Sequence, residues 1–241
     1  MKRKLLTGIV TLTVCISMFA ATNMCIKLED GQIVKYDVEN VVEVYYETNI
    51  NDTTPPLIDS FIVDASETSL EFRFLSDTTA EVAKGDQDLD TLNIPSKVRI
   101  DGKVYKVTSI GYAAFSNCSS LASITIPEGV TSIGDHVFEE CTSLASITIP
   151  EGVTIIGFST FSGCSKLASI TIPKSVKSIE SFAFASCTNL ASITIPESVT
   201  YIGSRAFSNC ENLDVVIENS KENVEIEDSS FPGWKSVTYT K

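Results

Sequence analysis

The chain has little of what most enzymes need at an active site. His136 is its only histidine in 241 residues, and none of its seven cysteines stands in a C-x-x-C pair. A catalytic triad or dyad needs a histidine beside a nucleophile and an orienting carboxylate, and zinc sites commonly use paired cysteines or histidines. We therefore expect no enzyme, no metal site and no cofactor, and we expect His136 to be solvated at a corner of the fold.

Basic residues are also scarce. The sequence has 18 lysines and arginines against 31 acids, a net charge of −13, so nucleic acid is an improbable partner. Three of the bases, Lys2, Arg3 and Lys4, precede the apolar run 5–21, which predicts a secretory signal peptide and an exported chain. A single-pass anchor stays open as an alternative because no A-x-A cleavage triplet is present. Cleavage would remove three bases and no acids, which leaves a net charge of −16.

A 23-residue period runs through the second half of the sequence. The letters LASITIP begin at residues 121, 144, 167 and 190. Such a period is typical of repeat proteins, in which each unit buries its apolar face against its neighbours and does not fold alone. Four apolar columns recur: Ile110, Ile133, Ile156, Ile179 and Ile202; Phe115, Phe138, Phe161, Phe184 and Phe207; Cys118, Cys141, Cys164, Cys187 and Cys210; and Leu121, Leu144, Leu167, Leu190 and Leu213.

Each repeat predicts two strands. In SITIP, apolar residues alternate with serine and threonine, as in a half-buried strand, and the proline ends the strand because it has no N–H for a ladder. Stacked in register, these strands form one parallel sheet. VTSIG predicts a shorter second strand, and residues 112–118 are long enough for one helical turn. We expect the glycines at 111, 134, 157 and 203 to adopt a positive φ in the turn between them.

The repeat letters closely resemble one known family. Residues 121–141, LASITIPEGVTSIGDHVFEEC, match almost letter for letter the pattern L-x-x-I-x-I-P-x-x-V-x-x-I-G-x-x-A-F-x-x-C of the BspA-like leucine-rich repeats, also called the Treponema pallidum type. The ordinary leucine-rich pattern asks for Asn or Cys where Gly129 stands. The resemblance covers about residues 89–231 and implies a leucine-rich repeat solenoid of parallel β-sheet coils. Similar proteins are implicated in adhesion to host matrix proteins or to other microbes.

The rest of the chain divides by composition and strand pattern. The Asp101-Gly102 pair between alternating strands indicates a hairpin, and Trp234 is placed to cover the last core. We predict six segments: 1–21, signal peptide; 22–48, small β hairpin or meander; 49–60, linker; 61–106, N-terminal β cap with a degenerate first repeat; 107–223, leucine-rich repeats; and 224–241, C-terminal cap.

The five cysteines of the repeat position predict a buried ladder of thiols. In a stack, their side chains point inward in parallel and lie one coil apart, which supplies the geometry of a disulfide poorly, and five cannot all pair. Buried cysteine behaves as a small apolar residue. We therefore assign these cysteines, like the phenylalanines of the Phe115 column, a structural role.

Residues that differ between coils are the candidates for recognition. The serines and threonines of the sheet face are the same in every coil and have little individual character. Aromatic and basic residues stand instead at outward corner positions, and we nominate Tyr112, Phe158, Phe182, Tyr201 and Arg205 as a contact strip. The alternative is a loop under relaxed selection, with its aromatics folded over the neighbouring coil.

These features favour a secreted or cell-surface binding module of the bacterial envelope. Its partner would be an extracellular protein or a glycan, and no membrane insertion is expected after the signal peptide is removed. A structural spacer or display element without a ligand of its own is the alternative. The uniform serine and threonine ladders favour the spacer, and the corner aromatics favour the binding module.

Overall fold

The computed structural model describes residues 23–27, 33–37, 62–227, 229–230 and 236–240. The chain divides into two units, residues 1–58 and residues 59–241. In the first unit, β1 (Asn23–Lys27) pairs antiparallel with β2 (Ile33–Asp37). The predicted signal peptide, the predicted linker and Trp234 lie outside the described residues, so those predictions stay open. Within the described ranges, no helix has the length and apolar character needed to cross a bilayer.

A sheet of hairpins precedes the repeats in the second unit. Its strands lie in the order β3 (Ile62–Asp64), β7 (Lys97–Ile100), β8 (Lys103–Ile110), β5 (Thr79–Gly85) and β4 (Leu70–Phe74), and a 3-10 turn (Ala65–Glu67) follows β3. Strands β7 and β8 form the hairpin predicted from the Asp101-Gly102 pair, whose φ values are +51° and +77°. Strand β6 (Thr91–Asn93) stands between β5 and β7 in the chain.

The repeats form a parallel solenoid of about seven turns with two lines of short strands. The strands are β9 (Ser123–Thr125), β10 (Ser132–Ile133), β11 (Ser146–Thr148), β12 (Ile155–Ile156), β13 (Ser169–Thr171), β14 (Ser178–Ile179), β15 (Ser192–Ile195), β16 (Tyr201–Ile202), β17 (Asp214–Ile217), β18 (Glu225–Ile226) and β19 (Ser236–Tyr239). A 3-10 turn (Lys221–Asn223) precedes β18.

Pairings between the full repeats keep residues 23 positions apart side by side, and pairings at the C-terminal end join residues 22 or 24 positions apart. In the front line, β6 pairs with β9, β11 with β13, and β15 with β17 and then β19. In the back line, β8 pairs with β10, and β12, β14, β16 and β18 follow one another. The register joins Ile147 to Ile170 and Ile156 to Ile179. The predicted leucine-rich repeat solenoid is confirmed, and the triplet Thr91–Asn93 is its first front strand.

The interior is filled by the predicted columns. The five phenylalanines beginning at Phe115 are buried, and neighbouring rings stack with centroids 5.3–5.7 Å apart and planes within 4–12° of parallel. Offset stacked rings gain about 0.5–1.5 kcal/mol per pair beyond the area that they bury. These ring contacts form only between neighbouring coils, so the interior stabilises the stack of coils and not the single coil.

The corner that follows each back strand has an unusual backbone. Where the sequence suggested a helical turn, residues in turn conformation alternate with residues of positive φ. N–H groups there donate to carbonyl oxygens of the next coil, as from Ala113 to Asp135 at 2.9 Å and from Phe115 to Val137 at 3.0 Å. Two positions per coil have φ between +51° and +76°: Ala113, His136, Ser159, Phe182 and Arg205, and then Asn117, Glu140, Gly163, Ser186 and Asn209.

The glycines of the VTSIG segment are not at these positions. We predicted a positive φ for those at 111, 134, 157 and 203, and that prediction is wrong, because none of the four has one. At Gly134 and Gly203, the backbones of neighbouring coils approach closely, which explains the glycine there, whereas Glu180 at the same position of another coil shows that glycine is not required in every coil. A Cβ on Gly134 would lie 2.9 Å from the Tyr112 nitrogen, and one on Gly203 would lie 2.5 Å from the Ser181 nitrogen.

Candidate functional site

A row of aromatic rings ending in a cation runs along the corner of the solenoid. We call Tyr112, His136, Phe158, Phe182 and Arg205 the corner strip. The ring centroids are 5.3 Å apart for Tyr112 and His136, 5.1 Å for His136 and Phe158, and 5.6 Å for Phe158 and Phe182. The Arg205 guanidinium carbon lies 5.7 Å from the Phe182 ring centre. Five successive coils therefore contribute one member each.

The backbone places these side chains in one line from two different positions. Tyr112 and Phe158 directly follow the turn glycine, whereas the other three members stand one residue later, at the first position of positive φ. A left-handed residue other than glycine costs about 1–2 kcal/mol. The inter-coil bonds from His136 N to Phe158 O (2.9 Å) and from Phe182 N to Ser204 O (3.1 Å) hold the chain in that conformation.

His136 belongs to the strip, although we expected it to be solvated. Its ring lies between Tyr112 and Phe158, and its Nδ1 is 2.9 Å from Glu139 Oε2. The side chain is only 22% exposed. The signal was present in the sequence, because His136 stands 24 residues after Tyr112 and 22 before Phe158, an average of one repeat.

The two ends of the strip differ in exposure and charge. Tyr112 is 68% exposed and Phe158 is 39% exposed, so part of the aromatic surface faces solvent. Arg205 is exposed at the other end, and no carboxylate of the described residues forms an ion pair with it. Asp135 lies beside the strip, where its Oδ1 accepts a hydrogen bond of 2.8 Å from Phe158 N.

Tyr201 lies apart from the strip. It stands on the back strand β16, and its hydroxyl donates a 2.7 Å hydrogen bond to Glu227 Oε1. The same carboxylate accepts a 3.0 Å bond from Ser204 N through Oε2. The hydrogen bond to Glu227, with a smaller contribution from desolvation, raises the pKa of Tyr201 to about 12. The structure brings together only the other four nominated residues. We infer that Tyr201 stabilises the contact between the last coils through its hydrogen bond to Glu227.

The repeat cysteines form a column of buried free thiols. Four of the five thiols donate to a phenylalanine carbonyl of the preceding coil, as from Cys164 Sγ to Phe138 O and from Cys187 Sγ to Phe161 O, both at 3.2 Å. Cys118 Sγ donates instead to Asp86 O at 3.8 Å. Burial is the main cause that raises the pKa of Cys141 to about 12, and it also raises the pKa of Cys164. Such thiols are poor nucleophiles and poor metal ligands. In this structure the five cysteine side chains pack as small apolar groups, and their thiols act as weak hydrogen-bond donors.

The front sheet carries a second surface of different character. A groove of about 370 Å³ lies over the Ser-Ile-Thr triplets of β9, β11 and β13. Its outward side chains are the exposed serines and threonines, and among the described residues no charged or aromatic side chain lines it. The groove repeats the same hydroxyl groups in each coil, so it offers little that would distinguish one ligand from another.

Comparison with known proteins identifies the family. A family model for the BspA type leucine rich repeat region matches residues 108–238 in six copies. The chain belongs to the BspA-type leucine-rich repeat family. The match covers the solenoid from the end of β8 to β19 and includes every member of the corner strip.

Solved BspA-type and related structures share this fold. A leucine-rich repeat protein from Bacteroides ovatus ATCC 8483 is 42% identical over 62% of this chain and 41% of that chain, with a TM-score of 0.58. A leucine rich cell surface protein from Faecalibacterium prausnitzii A2-165 is 30% identical over 71% and 53%, with a TM-score of 0.59. The T. pallidum Leucine Rich Repeat protein is 28% identical over 66% and 83%, with a TM-score of 0.55. No curated protein matches the chain.

This BspA-type chain spans 41% of the length of the Bacteroides ovatus protein and 53% of that of the Faecalibacterium prausnitzii protein. The family and its structural neighbours are repeat proteins and not known enzymes. As bacterial leucine-rich repeat proteins, they point to an interaction or surface module.

Proposed function

We propose that this protein is an exported interaction module of the bacterial surface, which recognises an extracellular protein or glycan through the corner strip. The carrying observation is the row of aromatic rings that ends in Arg205, in which Tyr112 and Phe158 are exposed and His136 and Phe182 are half-buried. Large side chains that stay in contact with water across successive coils are typical of a contact surface, and aromatic residues and arginine are enriched at binding hot spots.

Export is part of this proposal. The basic residues 2–4 and the apolar run 5–21 support a signal peptide, and a similar protein from Faecalibacterium prausnitzii is described as a cell surface protein. Fractionation of the producing cells and N-terminal sequencing of the mature protein test it. We expect the protein in the envelope or medium with an N-terminus near residue 22, and an intact leader in the cytoplasm would overturn the proposal.

A structural spacer is the second candidate, and one observation favours it. The strip rings pack on one another across coils, so they can stabilise the stack without any ligand. A spacer predicts that removing these rings lowers the stability of the protein and changes no binding. A binding module predicts the reverse.

The two candidates separate in one binding experiment. The purified chain without its predicted signal peptide is tested against panels of host matrix proteins and glycans, before and after the double substitution Phe158→Ser with Phe182→Ser. Ile155→Ser is the matched control, because Ile155 is 50% exposed on the back strand β12 and outside the strip. Loss of binding in the double variant alone, with an unchanged melting temperature, supports the module. No binding on either panel, or binding that survives the double substitution, contradicts it.

A further inference from the structure

The spacing of the corner strip carries information about its partner. Neighbouring members lie 5.3, 5.1, 5.6 and 5.7 Å apart. These separations exceed the spacing of about 4.7–4.9 Å between paired strands. They match the 5.3–5.7 Å between neighbouring rings of the interior phenylalanine column, so they reflect the distance between coils on this side of the solenoid. A partner that follows the strip must therefore present its own groups at intervals of between 5 and 6 Å.

Among protein elements, a helix fits this interval better than a strand does. An α-helix rises about 5.4 Å per turn, and its side chains at i, i+3 and i+4 lie on one face. The side chains on one face of a strand recur about every 6.4–6.8 Å, so a strand loses register within a few coils. A helix laid along the strip can keep one apolar side chain against each ring.

The orientation of the rings favours a protein over a glycan. Successive ring planes are inclined by 61°, 50° and 58°, so each ring covers part of the face of the next. A sugar ring packs its C–H groups flat on an open aromatic face, and this arrangement leaves few such faces. Aliphatic or aromatic side chains can instead pack edge to face against rings that are tilted in this way.

The charge at one end of the strip sets the direction of the partner. The Arg205 guanidinium has five N–H donors, and no carboxylate within the described residues forms an ion pair with it. The C-terminal end of a helix carries partial negative charge from its unpaired carbonyl groups, and a cation there is favourable. Acidic side chains in the last turn of the partner helix would add charge-assisted hydrogen bonds to Arg205.

We propose that the corner strip binds an amphipathic α-helix of a partner protein, about four turns long. The helix carries a narrow apolar stripe against Tyr112, His136, Phe158 and Phe182, and it places its acidic C-terminal turn at Arg205. This inference rests on the proposed function, and it narrows the partner from any protein or glycan to a helical segment of a protein.

Two peptide display libraries of equal composition and length test the helix directly. One library has apolar residues at i, i+3, i+4 and i+7 spacing with acids in the last turn, and the other has alternating apolar and polar residues. Both are selected against the purified chain. We expect binders from the helical library whose Kd rises at least tenfold with Phe158→Ser and at least fivefold with Arg205→Gln, and does not change with Ile155→Ser. Moving the acids of a selected peptide to its first turn should weaken binding at least fivefold.

Other outcomes overturn the inference. Strip-dependent binders from the alternating library alone would indicate a strand as the partner. A helical library that yields no binder sensitive to Phe158→Ser would also overturn it. If, in either case, a glycan or matrix protein still binds in a strip-dependent manner on the panels, the proposed function stands and only the helical partner is wrong.

Discussion

The phenylalanine column inside the solenoid and the corner strip share the 23-residue period and differ in almost everything else. Inside, the same letter recurs in every coil, and neighbouring rings are within 4–12° of parallel. At the corner, four residue types occupy five places, and neighbouring rings are inclined by 50–61°. One periodic backbone therefore supports a uniform interior and a varied edge.

The difference follows from what holds each region in place. An interior ring is enclosed on all sides, so a change of size leaves a cavity or a clash. The corner backbone is held by its own bonds to the next coil, such as Phe161 N to Ala183 O at 2.8 Å. Because those bonds need no particular side chain, the outward corner residues can vary without loss of the fold.

The largest expected difference between the interior column and the corner strip is the loss of stability when a ring is truncated. Phe161→Ala should lower the free energy of unfolding by about 3–5 kcal/mol, because it removes a fully buried ring from the middle of the column. Phe158→Ala, three residues earlier on the corner, should cost less than about 1 kcal/mol. Urea unfolding followed by circular dichroism measures both. Equal losses would show that the corner is part of the core.

The next test concerns the glycines where coils approach one another. Gly203→Ala should cost about 1–3 kcal/mol, because its new Cβ would lie 2.5 Å from the Ser181 backbone nitrogen. Gly157→Ala is the matched control, since its Cβ would meet the Asp135 carboxylate, a side chain that can turn away with the loss of one hydrogen bond from Phe158 N. In thermal unfolding, the melting temperature of Gly203→Ala should be well below that of Gly157→Ala. The opposite order would contradict close approach of the backbones as the reason for glycine.

The thiol column predicts a loss of stability in alkali. Burial raises the pKa of Cys210 to about 11 and that of Cys141 to about 12, from 9.0. Between pH 9.0 and these raised pKa values, the folded protein holds thiol protons that the unfolded chain releases. The free energy of unfolding therefore falls as pH rises above about 9. Melting temperatures between pH 7 and pH 11 should show this decline. The decline should be shallower in Cys141→Ala, and an unchanged slope there would contradict it.

A smaller effect is expected at the second left-handed position of the corner. Gly163 has φ +76° where other coils have Asn, Glu or Ser. Gly163→Ala should cost about 1 kcal/mol, because alanine is strained there and its Cβ would press on the Glu140 carboxylate. Combining it with Glu140→Ser should recover part of that loss. A double-mutant cycle by chemical denaturation checks both, and a gain in stability from Gly163→Ala would show that the strain is absent.

Much of the solenoid could be predicted from its letters because the pattern repeats. The alternation in SITIP and the turn at Asp101-Gly102 are local signals with one structural solution, and both are confirmed. The left-handed backbone at Ala113 and Phe182 had no such signal, because these residue types do not favour positive φ. That conformation arises from bonds between coils, which a single repeat does not reveal.

The candidate site was only partly predictable for the same reason. Outward aromatics could be found by comparing coils, and four of the five nominated residues do lie together. His136 was missed because it was judged alone rather than by its distance from Tyr112 and Phe158. Tyr201 was nominated because its position, just before the second strand, varies between coils, and nothing local indicates its bond to Glu227, which stands 26 residues later.

The central claim is that the interior holds the fold while the corner strip recognises the partner. The most direct test measures both properties on Tyr112→Ser, because Tyr112 is the most exposed ring of the strip. With the tightest ligand from the protein and glycan panels, we predict that Tyr112→Ser weakens binding several-fold and changes the free energy of unfolding by less than about 0.5 kcal/mol. Unchanged binding together with a clear loss of stability would contradict the claim.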